Sequence, residues 1–313
     1  MKIVVIDGEF VNPGDLSWYK ISTLGNFQDF PEESEAARQA AYQADVLLTN
    51  KFEVDKEFLE QTKNLKFIGE MATGYNNIDI KACSEKGIVV SNCPGYGTDI
   101  VAQYTFAMIL ALVHKVEEHS QSVLRGEWDN KGFSYYLNKP FLLKGKTLGI
   151  IGYGSIGQRV KEIAETFGMK ALACDIVVRE LYQVSLEEVL MMSDIISLHA
   201  NLTEENHGMI NRETISKMKH GVFLINVARG SLINEEDLKE ALNSGKIAGA
   251  AVDTVTEEPI TRDNPLLQAK NIIITPHIAW VAKEARQEIM DITYENIKAF
   301  KKGRPQNRIE VEK

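Results

Sequence analysis

Three glycines and one acid form the first group of residues with a chemistry. Gly152, Gly154 and Gly157 make a G-x-G-x-x-G pattern inside LGIIGYGSIGQRV, and Asp175 closes the next short apolar run. Each glycine has its own task in a dinucleotide site. The first permits a tight strand-to-helix turn, the second lets the backbone approach a pyrophosphate, and the third lets helix and strand pack closely. A helix N-terminus adds unpaired N–H groups and the positive end of its dipole. An acid about 20 residues further on suits the adenosine ribose.

A second group lies further along the chain. Arg229 stands in NVARG, Glu258 in TEEP and His277 in TPHIAW, each just after a short apolar run. Reduction of a 2-keto acid requires a cation for the carboxylate and carbonyl oxygen, and a proton donor for the developing alkoxide. Arginine meets the first need with its planar fork of donors. Histidine meets the second because its ordinary pKa is near working pH, and a carboxylate on the ring favours and orients the protonated form. Singly, each residue has a plain structural explanation: a salt-bridge arginine, a solvated loop acid before Pro259, a turn histidine after Pro276. Three complementary groups in successive post-strand loops favour the chemical reading.

The elements that must position these groups follow from the pattern of apolar runs. In the N-terminal block, strands are predicted at Ile3–Ile6, Val46–Leu48, Phe67–Ile68 and Ile88–Val90. Helices are predicted between them at Glu33–Ala44, Val54–Thr62 and Ile78–Lys86. Six more strands are predicted at Leu148–Ile151, Ala171–Cys174, Ile195–Leu198, Val222–Asn226, Ala248–Val252 and Ile272–Ile274, with intervening helices. Alternation of this kind denotes parallel sheets with crossover helices. One long apolar helix is expected from an N-cap at Asp99 to beyond His119, and an amphipathic helix from after Trp280 to about Lys302. Gly126–Lys139, rich in aromatics, reads either as a packed loop or as a dimer arm.

The 313 residues suffice for two domains, and 44% hydrophobic with 25% charged residues is ordinary for a globular protein. A net charge of −9 argues against a nucleic-acid partner. No run reaches the roughly 18 apolar residues of a membrane span. Cys83, Cys93 and Cys174 show no metal-ligand spacing, and the six histidines form no i, i+4 pair, so no metal is expected. Reduced thiols fit a cytoplasmic protein.

Over nearly its whole length the chain resembles the D-isomer-specific 2-hydroxyacid dehydrogenases. The resemblance is carried by MATGYNNID from Met71, by NCPGYGTDIVAQYTFAMILAL, and by GYGSIG, INVARGSLINEEDL, AVDTVTEEP and TPHIAW. It implies an α/β fold in which a doubly wound Rossmann domain (99–280) is inserted into a flavodoxin-like substrate-binding domain (1–98 and 281–313), closing on substrate across a cleft. It implies that Arg229 binds substrate, Glu258 tunes the histidine and His277 relays the proton, while the Thr73–Gly74 backbone takes the carboxylate. Cofactor contacts are implied at Gly152, Gly154, Ser155, Ile156 and Gly157, at Asp175, at Ala200 and Asn206, and at Val227 and Asp253. A homodimer is also implied. Where the family commonly has Pro in an LHxPLT loop, this chain has Asn201, which predicts a slightly altered loop.

Asp175 followed by Ile176 favours NAD over NADP, because the carboxylate repels a 2′-phosphate; Arg179 is the nearest cation that could oppose this. Trp280 and CPGYGT resemble the hydroxypyruvate reductase and glycerate dehydrogenase branch, with hydroxypyruvate or glyoxylate as the expected acid. The competing readings are a dinucleotide-sensing corepressor of the C-terminal-binding-protein type, and a formate or phosphite dehydrogenase of the same superfamily.

Overall fold

The computed structural model describes residues 1–129, 131–176 and 183–311. It divides into two compact units, Met1–Gly97 with Trp280–Lys313, and Thr98–Ala279.

The first unit contains β1 (Lys2–Val5), α1 (Tyr19–Ser22), β2 (Asn26–Asp29), α2 (Glu35–Tyr42), β3 (Val46–Thr49), α3 (Lys56–Gln61), β4 (Phe67–Glu70), α4 (Ile80–Glu85) and β5 (Val89–Ser91). Its sheet is parallel, in the order β2-β1-β3-β4-β5. This is the flavodoxin-like order. β3 and β4 are buried along their whole length, as central strands covered on both faces must be. The C-terminal helix, Lys283–Lys301, packs against β4.

The second unit contains α5 (Thr98–His114), α6 (Val116–Leu124), β6 (Thr147–Ile151), α7 (Ser155–Thr166), β7 (Lys170–Cys174), α8 (Leu186–Met192), β8 (Ile195–Leu198), α9 (Arg212–Lys217), β9 (Val222–Asn226), α10 (Glu235–Ser244), β10 (Ile247–Val252) and β11 (Ile272–Ile274). Its sheet is also parallel, in the order β11-β10-β9-β8-β6-β7. A single bridge from Ala173 to Gln183 lies on the free side of β7. With that bridge counted as a third strand, the order is that of a dinucleotide-binding fold. The chain is thus α/β throughout, with the Rossmann unit lying in sequence between the flavodoxin-like sheet and the last helix that packs on it.

Three expectations need correction. β2 has no apolar signal because this edge strand is mostly exposed, so periodicity passes over it. The long helix is two: Lys115 adopts a left-handed φ of 48° and the axis bends by 52° between α5 and α6. Asp99 is not an N-cap but sits in the first turn of α5, where Arg159 Nε donates to its Oδ1 at 2.7 Å.

α5 buries one broad face, through Val101, Ala102, Phe106, Met108, Ile109, Leu112 and Val113 among others, while Gln103, Ala107 and Ala111 on the opposite face are exposed, so burial on several sides is not found. The segment after α6 is different: Phe133 is 97% and Tyr136 71% exposed. Among the described residues no single helix is long and apolar enough to cross a membrane.

Candidate active site

The glycine turn joins β6 to α7. Gly152 has φ +94°, which L side chains rarely adopt, and a Cβ there would strike the backbone of His199 and Ala200. A Cβ on Gly157 would strike the carbonyl oxygen of Gly152, so α7 can pack this closely on β6 only through glycine. Around Gly154 the situation is the reverse. A Cβ there would meet nothing within 4 Å, and as the N-cap of α7 it offers no side chain to the first turn. The first turn of α7 also carries no acid. This combination of open space, uncapped helix start and positive dipole end suits a pyrophosphate. The residues present therefore fit a dinucleotide.

Asp175 follows β7, and its Oδ2 accepts from the Tyr153 backbone N–H at 2.5 Å, which fixes the carboxylate over the turn. Ala200 lies in the loop after β8, against Gly152. Asn206 secures the rest of that loop: its Oδ1 accepts from Thr203 N at 2.8 Å and its Nδ2 donates to the Asn201 carbonyl at 2.7 Å. Asn201 thus contributes a backbone acceptor where a proline carbonyl would do the same. Arg179 lies outside the described residues.

Arg229, Glu258 and His277 follow β9, β10 and β11, three strands that are neighbours in the sheet. The turn after β9 is set by Asn226, fully buried, whose Nδ2 donates to the Arg229 carbonyl at 2.8 Å and whose Oδ1 accepts from Ala228 N at 3.0 Å. Val227 lies within this turn. Arg229 Nη1 donates to the Ala228 carbonyl at 2.9 Å, and Arg229 forms no ion pair among the described residues. Arg286, by contrast, makes a two-pronged pair with Asp15 at 2.7 and 2.8 Å. The next residue, Gly230, touches the backbone of Val255 and Thr256 so closely that no Cβ fits. Glu258 Oε1 in turn accepts from Val255 N at 3.2 Å. One chain of contacts therefore leads from the arginine turn to the glutamate.

Glu258 Oε2 lies 2.7 Å from His277 Nδ1. A carboxylate at that atom accepts a hydrogen bond from a protonated Nδ1, so that a further proton gained or lost by the ring would be carried on Nε2. His277 sits at φ 56°, a costly conformation for a non-glycine residue. Asp253 holds it there. The Asp253 carbonyl accepts from His277 N at 2.8 Å. Its Oδ1 accepts from Thr275 Oγ1 at 2.6 Å and Ile278 N at 2.9 Å, and its Oδ2 from Ala279 N at 2.8 Å. Burial pushes the Asp253 carboxyl up from its ordinary value, while these donors act in the opposite direction.

Asn226 and Thr275 are the supports that reading by residue type passes over. A buried amide at a strand end and a hydroxyl two residues before the histidine are the only signals they leave in the sequence. No thiol competes for a chemical role, since burial pushes Cys83, Cys93 and Cys174 each up to about 12. Among the described residues no group of three or more His, Cys, Asp or Glu could hold a metal ion.

Thr73 and Gly74 belong to the first unit, in the loop after β4. Thr73 Oγ1 donates to the Cys93 carbonyl at 3.0 Å, and Asn92 Nδ2 donates to the Thr73 carbonyl at 2.7 Å. Nearby, the Tyr96 and Trp280 rings meet edge to face with centroids 6.3 Å apart.

An uncapped glycine turn with an acid fixed over it, joined in one sheet to an arginine and a glutamate–histidine pair, defines a nucleotide-dependent dehydrogenase. Residues 106–279 match the family model of the D-isomer specific 2-hydroxyacid dehydrogenase NAD binding domain, and the chain belongs to that family. It is 45% identical to a hydroxypyruvate reductase of Blautia hydrogenotrophica, over 98% of this chain and 99% of that protein. It is 39% identical to a glycerate dehydrogenase of Methylorubrum extorquens, over 90% of this chain and 89% of that one. Among solved structures, an acyclic imino acid reductase in complex with NADPH and D-Arg superposes with a TM-score of 0.88, at 32% identity over 99% of this chain and 100% of that one. The protein is an NAD-dependent oxidoreductase that interconverts 2-keto and D-2-hydroxy acids.

Proposed function

We propose that this enzyme reduces a small polar 2-keto acid, hydroxypyruvate or glyoxylate, to D-glycerate or glycolate, with His277 as proton donor. The observation that carries the assignment of the chemistry is the 2.7 Å pair between His277 Nδ1 and Glu258, beside an arginine without an ionic partner among the described residues. Arg229 orients the substrate through its carboxylate and carbonyl oxygen. Glu258 holds the imidazole so that Nε2 delivers its proton to the carbonyl oxygen as that oxygen gains charge. NADH supplies the hydride when bound. The backbone of Thr73 and Gly74 takes the substrate carboxylate.

Gly152, Gly154, Ser155, Ile156 and Gly157 hold the pyrophosphate. Asp175 holds the adenosine ribose, Ala200 and Asn206 border the adenosine end, and Val227 and Asp253 border the nicotinamide. The names of the two relatives above support the choice of acid. Asp175 supports NADH over NADPH by like-charge repulsion of a 2′-phosphate, although the imino acid reductase of similar fold was solved with NADPH.

The active form is a homodimer in the cytoplasm. A second copy covers the exposed aromatics after α6, since apolar side chains exposed as far as Phe133 are best explained by a partner surface.

Initial rates on hydroxypyruvate, glyoxylate, pyruvate, a branched 2-keto acid, formate and phosphite, with each cofactor, test the proposal. The expected result is the highest kcat/KM for hydroxypyruvate or glyoxylate, D-configured glycerate from hydroxypyruvate, and at least about a tenfold preference for NADH. A preference for NADPH, or for formate or phosphite, would overturn the corresponding assignment. Sedimentation of the intact chain tests the dimer.

A further inference from the structure

The first unit contains a buried acid that the chemistry above does not use. Glu70 is the last residue of β4 and is fully buried. Its Oε2 accepts from Asn77 Nδ2 at 3.1 Å, while its Oε1 is buried with no hydrogen-bond partner among the described residues. Asn77 Nδ2 also donates to the Phe52 carbonyl at 3.0 Å. Glu70 and Asn77 stand at the two ends of one loop, and between them lie Thr73 and Gly74. The far side of that loop is fixed separately, by the bonds of Thr73 to Cys93 and Asn92.

We propose that Glu70 is a positioning residue for the substrate: through Asn77 it closes the base of the Met71–Asn77 loop and so sets the Thr73–Gly74 backbone that takes the substrate carboxylate. The inference rests on the assignment of Thr73 and Gly74 to the carboxylate. An apolar side chain of like size would fill the same space without burying an unpaired oxygen, so packing alone does not account for an acid here. Burial holds the Glu70 carboxyl well above the usual range; the Asn77 amide acts against that rise, the charge of Asp7 adds to it, and Lys51 offsets it in part. The bond to Asn77 needs a side-chain oxygen that accepts at this position, and glutamine, which keeps that oxygen and the side-chain length, is the conservative replacement.

Steady-state kinetics at saturating NADH on Glu70→Leu, Glu70→Gln, Asn77→Ala and Gly74→Val test this. Losing one positioning hydrogen bond should raise the KM for the keto acid about tenfold in Glu70→Leu and Asn77→Ala, with kcat and the NADH KM within about threefold of wild type. Glu70→Gln should restore the substrate KM. The inference is overturned if both Glu70→Leu and Asn77→Ala keep the wild-type KM, if only kcat falls, or if Glu70→Gln is as impaired as Glu70→Leu. Should Glu70→Leu not fold, Asn77→Ala and Glu70→Gln decide the matter. Gly74→Val separates the two levels. A raised KM there with unaffected Asn77→Ala and Glu70 variants rejects only the role of Glu70, whereas an unchanged KM in Gly74→Val rejects the carboxylate loop itself and the inference with it.

Discussion

The two units begin alike and diverge at one point. In each, the first strand lies between a second strand and a later one in a parallel sheet, which places a crevice at its carboxyl end. In the first unit, that end is filled by the protein itself. Asp7, only 2% exposed, accepts from Thr49 Oγ1 at 3.0 Å and from the backbone N–H groups of Asn50, Lys51 and Phe52 at 2.7 to 3.0 Å. In the second unit, the same end carries glycines, open space at Gly154 and a helix without a side-chain cap. Most other helix starts are closed by side chains, as α2 is by Ser34, α3 by Asp55, α8 by Ser185 and α10 by Asn234. The lesson is that an α/β switch point binds an anion only where the chain withholds its own. The first unit closes its switch point with an internal carboxylate; in the second Asp175 accepts from the Tyr153 N–H, but the start of α7 receives no side-chain cap.

Breaking the open turn should have the largest effect. Gly157→Val places a side chain against the Gly152 carbonyl, and forcing α7 away should weaken NADH binding at least about a hundredfold, read by fluorescence titration. Unchanged NADH affinity would mean that the close packing of β6 and α7 is not required.

Next comes the anion site for substrate. Arg229→Ala removes charge-assisted bonds of about 1.5–3 kcal/mol, so kcat/KM should fall about 10- to 100-fold, mainly through substrate KM and with NADH binding intact. A loss of NADH affinity of the same size would place Arg229 on the cofactor instead.

A smaller effect is expected from Glu258→Gln. The Glu258 carboxylate lies 2.7 Å from Nδ1 and orients the imidazole. Its loss should lower kcat about tenfold with NADH affinity unchanged, read by steady-state kinetics. Wild-type kcat in that variant would show that the carboxylate is not required.

The smallest effect on catalysis sharpens the comparison from the other side. Asp7→Ala removes an acceptor from four donors, of which Phe52 N keeps Thr49 Oγ1, and should lower stability by about 3 kcal/mol in urea denaturation, while the NADH KM stays within about twofold of wild type.

The grouping of Arg229, Glu258 and His277 at the ends of neighbouring strands was legible in the sequence because each stands just after an apolar run. Both sheets were legible for the same reason, since buried parallel strands are written as unbroken aliphatic segments such as VLLT and LGII. β2 was not, because an exposed edge strand leaves no such run. The break at Lys115 was not, because no Gly or Pro marks a stop in LVHKVEE and only the left-handed φ interrupts the helix. The supports around the site were the least legible. Asn226 and Asp253 act through backbone donors and acceptors, and nothing in a side chain's identity tells which peptide groups a fold will bring to it. Asp7 and Glu70 are likewise recognisable as special only once burial is known.

The central claim is that one turn holds the hydride carrier while a separate pair, Glu258 and His277, controls the proton. The most direct test is a single-turnover measurement on His277→Ala with NADH prebound. The account predicts NADH affinity within about twofold of wild type and a rate of NADH oxidation by the keto acid reduced at least about a hundredfold, as expected for loss of a general acid. Wild-type turnover in that variant would contradict it.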